Sequence, residues 1–449
     1  MIGRWVFAGM MMTFAAQAEP VEQSTFRQWS SYKLENSFIT MHVAPALGGR
    51  IIGYALGDHQ FLWSNRNLAG QTPPASGLDP KGGWLNWGGD KLWPAPQGWD
   101  RADQWPGPPD AVLDGSPHSA SFPGGATRDP SIHLTSAEDQ RSGIQLSRSI
   151  TLYRGGTHVG VTATMRNIDT RPRRWGIWTV TQLDAESRDG SEPWNSRFHT
   201  YIPLTDGYRV LFGARDNPQF SKDQAGKLLQ VHYQRRVGKV GALSTAGWVA
   251  NVDGTAGMLF VQQFRHQPGA SYPNDSTVEV WTQGAGTIHA WNRDVTMSSD
   301  PAENPNLVES ELLGPLTLLA PGQETRFHYD WYAANIGGDY PVLSCNRLGC
   351  MCEAFHARAK VTSLKLTGRF GVFVAGQVRL AFYDAKGGQL READPNPTLM
   401  GVAPTSPFVL SGPIAILEPV PDGVAEVALL LSDPEGKPLG ELARTTIER

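Results

Sequence analysis

Short runs that alternate apolar and polar residues, each closed by glycine, proline or aspartate, recur along almost the whole chain. They read as strands at Tyr32–Val43, Ile51–Leu56, Ile132–Thr135, Ile144–Tyr153, Thr157–Asn167 and Arg174–Leu183. Others follow at Arg209–Phe212, Leu228–Tyr233, Gly247–Asn251, Gly257–Phe264, Ser276–Thr282, Leu307–Leu313 and Glu324–Tyr332. A period of two suits a half-buried strand, and helical spacing is nearly absent. The 449 residues include 49 Gly and 33 Pro and only 18% are charged, which favours turns between strands. The chain therefore reads as all-β, with residues 24–337 forming one large antiparallel sandwich. Residues 338–358 read as a cysteine-containing linker. Residues 359–449 read as a smaller Ig-like β-sandwich, with strands separated by the turn-forming stretches AKGGQL, DPNPT, PVPDG and DPEGKP.

The first 18 residues have the layout of a signal peptide. A positive start at Met1–Arg4 precedes the apolar run Trp5–Ala16, and Ala16-Gln17-Ala18 is a cleavage site of the A-x-A type. This predicts export to the periplasm or the extracellular space. The apolar run is short for a bilayer span, and no later segment is long enough, so a membrane-spanning protein is not expected. A net charge of −4 with scattered arginines argues against a nucleic-acid partner. Three cysteines fall together in SCNRLGCMC. An oxidising compartment favours one disulfide, Cys345 with Cys350 or with Cys352, and we assign Cys345–Cys350. A zinc site would need His356 as its fourth ligand, and no metal is expected.

The stretch Gly82–Asp110, GGWLNWGGDKLWPAPQGWDRADQWPGPPD, holds Trp84, Trp87, Trp93, Trp99 and Trp105 among glycines and prolines. No regular period fits it, so it reads as a long ordered loop. Asn86, Asp90 and Lys91 sit between the indoles. Flat aromatic faces beside fixed donors and acceptors suit a sugar ring. Arg50, in the turn GGRII, is expected to face the same pocket or to pair with a carboxylate such as Asp90.

The order of motifs carries a family resemblance. A strand runs to Gly48-Gly49-Arg50-Ile51, and Trp63-Ser64-Asn65 and GGDKLWPAPQ follow. Next come Met165-Arg166-Asn167 before a strand carrying TQL, and finally ESELLGPLTLLAPGQETRFHYDW. Over about residues 30 to 335 this resembles the DUF4380 family, related to aldose 1-epimerases and, more distantly, to the galactose-mutarotase-like β-supersandwich proteins. The resemblance implies that fold, a carbohydrate ligand and no cofactor. Epimerases of this kind use a base and an acid on opposite sides of the sugar ring, a glutamate and a histidine. Glu309 and Glu311 lie two apart on one strand face, and Glu311 is the candidate base. The region between Asn167 and Asp184, where the resemblance would put the histidine, contains none. His266, after a strand and near Gln262, Gln263 and Arg265, is the best substitute, ahead of His118 and His199. The expected sugar contacts are Arg50, Asn65, Asn86, Trp87, Asp90, Lys91, Trp93 and Gln182. Nucleotide-binding loops, a serine nucleophile elbow and H-E-x-x-H are missing from the sequence. Asp90 with Glu311 is the one carboxylate pair considered for glycoside hydrolysis. Without the histidine, a non-catalytic sugar-binding protein stands ahead of an active epimerase. A structural protein with a vestigial pocket stands behind both.

Overall fold

The computed structural model describes residues 21–74, 78–79, 83–101, 103–123, 129–188, 190–360, 363–393, 401–415 and 423–448. The expected leader, residues 1–18, lies outside them, as do the turns at 394–398 and most of the one at 419–423. No helix among the described residues is long and apolar enough to cross a membrane.

The structure is all-β. Two large antiparallel sheets, of 12 and 10 strands among the described residues, build the N-terminal sandwich. In the first sheet the middle strands run in the order Arg50–Leu56, Asp90–Ala95, Arg173–Asp184, Leu307–Leu313, Val278–Thr282 and Gly238–Ala242. The second sheet centres on Met258–Phe264, Glu324–Asn335 and Val159–Asn167. One apolar core fills the space between them, with Ile51, Leu92, Val280 and Leu312 from the first sheet facing Ile150, Val161, Phe260 and Trp331 from the second.

Burial patterns separate two kinds of strand. Ile144–Leu152 alternates buried and half-buried residues along its whole length, as a strand with one open face should. Asp90–Ala95 and Gly238–Ala242 are buried at every position, and Arg173–Asp184 at nearly every one. These strands press one face on the second sheet and are covered on the other face as well.

Double burial explains one correction. The Trp-rich stretch does not run as an uninterrupted loop, because Asp90–Ala95 is a central strand within it. A strand covered on both faces shows no alternation, and Pro94 argues against a strand by composition. The chain enters this strand through Gly88 and Gly89, both at positive φ (92° and 72°). At Gly89 a Cβ would lie 2.3 Å from the Ile51 carbonyl oxygen, so no larger residue fits.

The C-terminal sheet has its own core, including Leu364, Phe370, Leu380, Phe382, Val427 and Leu429. Among the described residues its nine strands fold over as two layers joined where Gly349–Lys360 meets Pro438–Glu448 in parallel. The strand Gly349–Lys360 corrects the expected linker over 338–358. Its alternation begins at the cysteines, and Cys345 and Cys350 are disulfide-bonded at its start. Cys352 is a buried free thiol. The C-terminal sandwich docks on the second sheet. Phe373 stacks on Tyr332 at 4.6 Å, and its carbonyl accepts from the Thr157 amide at 2.8 Å.

Candidate functional site

Register alone assembles a polar cluster on the outer face of the first sheet. Lys91, Val180, Glu311 and Glu279 are successive cross-strand partners. One step along, Gln182, Glu309, Trp281 and Lys239 form the next row. Trp93, Trp178 and Leu313 form the third. Residues paired in this way share a face, so five charged side chains and three indoles project together. Against expectation for solvated charges, Lys91, Glu279 and Glu311 are each 1% exposed.

The cluster has two halves. In one, the Lys239 ammonium sits 2.7 Å from Glu279 and 2.8 Å from Glu311, and 4.5 Å from the centre of the Trp178 ring. Trp178 Nε1 donates to Glu311 at 2.6 Å, and the Asn274 amide donates to Glu279 at 2.9 Å. A cleft of about 170 Å³ opens here, lined by Trp178, Lys239, Glu279, Asn274, Gln97 and Phe212 among others. One ammonium between two carboxylates leaves a negative charge uncompensated. Burial pushes the Glu311 carboxyl up to about 8, Lys239 opposes the rise, and Glu279 and Glu309 add to it. Burial works against the Lys239 ammonium, but Glu279 and Glu311 prevail and hold its pKa above the usual lysine value. Glu311 is thus a carboxyl that keeps its proton near neutral pH.

In the other half, Lys91 Nζ lies 4.8 Å from the centre of the Trp93 ring and 5.6 Å from that of Trp84. Glu309 is 3.7 Å away and accepts a hydrogen bond from Gln182 at 2.7 Å. Burial lowers the Lys91 pKa to about 8, Glu309 resisting and Arg50 assisting. Lys91 Nζ, Trp93 Nε1 and Gln182 Oε1 are buried without a hydrogen-bond partner in the protein. Trp84, 37% exposed, forms the outer wall and is held by a hydrogen bond from its Nε1 to Asp114 at 2.8 Å.

The structure thus brings Lys91, Trp93, Gln182 and Glu311 onto one surface. It sends the other expected site residues elsewhere. Asp90 points between the sheets, ion-paired with Arg148 and accepting from Thr181 at 2.7 Å. Consecutive strand residues face opposite ways, so only one of Asp90 and Lys91 could reach the cleft. The Asp90–Glu311 hydrolytic pair falls for the same reason. Arg50 is fully buried and pairs with Asp114 at 2.6 Å, not with Asp90. It therefore braces the residue that holds Trp84 rather than touching the cleft itself. Trp87 belongs to a small separate core with Trp29 and Leu47. Asn65 caps a short turn and donates to the Asn86 carbonyl at 3.1 Å, while the Asn86 side chain accepts from Gly88. Both amides spend their polar atoms on the loop.

His266 lies two residues beyond the strand Met258–Phe264 of the second sheet, where its ring stacks on Tyr272 at 5.6 Å, and it does not line the cleft. The partner of Glu311 is Lys239. Lys239 and Glu279 escaped the sequence reading, although each is a lone charge in a short apolar run (GKVGA and VEVWT), a pattern that marks a buried charge needing a partner. Among the described residues no group of three or more His, Cys, Asp or Glu side chains is placed to hold a metal ion.

Among solved structures, the chain is similar to a TPR-domain containing protein from Parabacteroides distasonis, at 15% identity and a TM-score of 0.46, over 70% of this chain and 48% of that one. The chain thus spans about half the length of that neighbour. It is also similar to a galactose mutarotase-like protein from Lactobacillus casei, at 11% identity and a TM-score of 0.43, over 68% of this chain and 99% of that one. A galactose mutarotase-like protein from Clostridium acetobutylicum gives 9% identity and a TM-score of 0.43, over 70% of this chain and 98% of that one. No curated protein matches the sequence. The family model for the domain of unknown function DUF4380 matches residues 30–334, which carry nearly all of both large sheets and the whole polar cluster, and the chain belongs to that family.

Proposed function

We propose that this is an exported carbohydrate-binding protein that holds a sugar on the outer face of the first sheet, under the Trp-rich stretch. One observation carries the reading. Two buried donors, Lys91 Nζ and Trp93 Nε1, and one buried acceptor, Gln182 Oε1, lack hydrogen-bond partners in the protein on a single face walled by indoles. An unmet buried polar group costs about 1–3 kcal/mol, so such a trio is stable where a ligand's hydroxyls complete it. Hydroxyls both donate and accept, and the C–H face of a sugar ring packs on an indole. Export rests on the leader-like residues 1–18 and agrees with the Cys345–Cys350 disulfide.

The test is thermal unfolding against neutral sugars, uronates and oligosaccharides, with wild type and Lys91→Met. A ligand at about 100 times its Kd should stabilise wild type by about 2.7 kcal/mol and leave the variant unmoved. If no sugar shifts wild type, the reading is wrong.

The proton held by Glu311 beside Lys239 favours a second reading, epimerase chemistry with Glu311 exchanging the proton. Asp90 and His266 lie away from the cleft, so binding without turnover stands first. Anomer exchange followed by NMR, lost in Glu311→Gln, would reverse that order.

A further inference from the structure

The cleft does not end at Lys239. Phe212, which lines it, packs against Trp99 at 6.4 Å, and Trp99 packs against Trp291 at 5.7 Å. Trp281 closes on Phe212 from the sheet side at 6.1 Å. These rings make a continuous aromatic shelf leading out of the cleft, and its last member, Trp291, is 49% exposed.

Trp291 occupies an unfavourable place. It and Asn292 form the tip of the hairpin between Gly286–Ala290 and Arg293–Met297, with φ of 52° and 57°. A turn with two positive φ values favours Asn-Gly, and a bulky side chain in the left-handed region is strained. Half-exposed, the indole recovers only part of that cost by burial. Strain kept at an exposed aromatic points to use outside the fold. The hairpin is also rooted firmly. Arg235 donates to the Ser299 carbonyl at 2.6 Å, and the Asn304 amide bridges the carbonyls of Gly284 and Ser298 at 2.8 and 2.7 Å. Both ends of the hairpin are therefore clamped, which places the indole in advance of binding.

We infer that the site takes an oligosaccharide. One sugar ring lies over the Lys91–Glu311 cluster, and a further ring of the same glycan stacks on the Trp99–Trp291 shelf. This rests on the proposed reading of the cleft as a sugar site. The partly buried Trp99 and the half-exposed Trp291, tilted at 50° to each other, suit the apolar faces of successive sugar rings, and the shared Phe212 wall makes the path from cleft to shelf continuous.

Titration calorimetry with cellotetraose, maltotetraose, chitotetraose and tetragalacturonate, each beside its monomer, tests this on wild type and Trp291→Asn. Asparagine tolerates the left-handed conformation, so the turn is kept. Wild type should bind one tetramer roughly tenfold or more tighter than its monomer, a margin within reach of one aromatic stacking contact. Trp291→Asn should abolish that margin and leave monomer affinity and melting unchanged. Equal affinity of wild type for tetramer and monomer would overturn the shelf and spare the cleft. A margin that survives in Trp291→Asn would overturn it too. Binding of neither would overturn the sugar site itself, and the shelf with it.

Discussion

Glu279 and Glu311 face each other directly across the ladder between their strands and share one ammonium, that of Lys239, at 2.7 and 2.8 Å. The pair carries one negative charge more than the lysine can balance. Retaining a proton on Glu311 is the cheapest way to hold both carboxyls out of water.

That proton gives stability a pH dependence with a definite sign. The Glu311 carboxyl titrates at 4.5 when unperturbed and at about 8 in the folded protein. Between those values the folded state holds a proton that the unfolded state has released, so this group's contribution falls as pH rises. The slope is at most about 1.4 kcal/mol per pH unit. Glu311→Gln keeps the shape and cannot ionise. Chemical denaturation of both proteins from pH 5 to 8 should therefore show wild type losing stability relative to the variant as pH rises. Parallel curves would mean that Glu311 is ionised throughout.

Lys239 is expected to be the costliest polar residue of the cleft to remove. Lys239→Met leaves two carboxyls facing each other, both 1% exposed, with no cation. Breaking a buried ion pair from one side costs about 3–5 kcal/mol. Because Glu311 already holds a proton near neutral pH, the stranded charge is that of Glu279, and pairing the change with Glu279→Gln should restore part of that loss. A denaturation cycle over the single and double variants checks it.

Asp90 and Lys91 give a sharper contrast, since they are chain neighbours on opposite faces. Asp90→Ala strands Arg148, 3% exposed, and should cost about 3–5 kcal/mol. Lys91→Met removes an ammonium without a hydrogen-bond partner and puts a flexible apolar chain among the indoles. The change gives up the 3.7 Å ion pair with Glu309, which is less deeply buried than Arg148 and keeps its hydrogen bond from Gln182, so it should cost less stability than Asp90→Ala while sugar binding is lost. Urea titration and calorimetry on the two variants separate a fold residue from a site residue.

How far these roles could be read from the sequence depends on burial. Strands with one open face, such as Ile144–Leu152, announce themselves by alternation. The shared face of Glu309 and Glu311 follows from their spacing of two, and Trp84 and Trp93 follow from the density of indoles. Asp90–Ala95 did not read as a strand because both its faces are covered, and with the strand went the knowledge that residues 90 and 91 part company. The partners Arg148 and Asp114 lie 58 and 64 residues from Asp90 and Arg50, and only the sheet topology brings them together. The shelf beside the cleft was hidden for a similar reason. Trp99 and Trp291 belong to segments that meet only in the fold.

The entry to Asp90–Ala95 offers a test of how tightly this arrangement is fixed. Gly89 has φ of 72°, and an added Cβ would fall 2.3 Å from the Ile51 carbonyl oxygen and 3.1 Å from the Ile52 Cα. Both are backbone atoms of the neighbouring strand and cannot swing aside. The left-handed conformation alone costs a non-glycine residue roughly 1–2 kcal/mol, and the clash adds to it. Gly57 has a similar φ of 56° but open space around its Cβ position. Gly57→Ala should therefore show the conformational cost alone, and Gly89→Ala a clearly larger loss. Only Gly89→Ala should also weaken sugar binding, because shifting this strand displaces Lys91 and Trp93 together. Melting and calorimetry on the two variants decide it, and equal losses with equal binding would mean that the strand can move without disturbing the cleft.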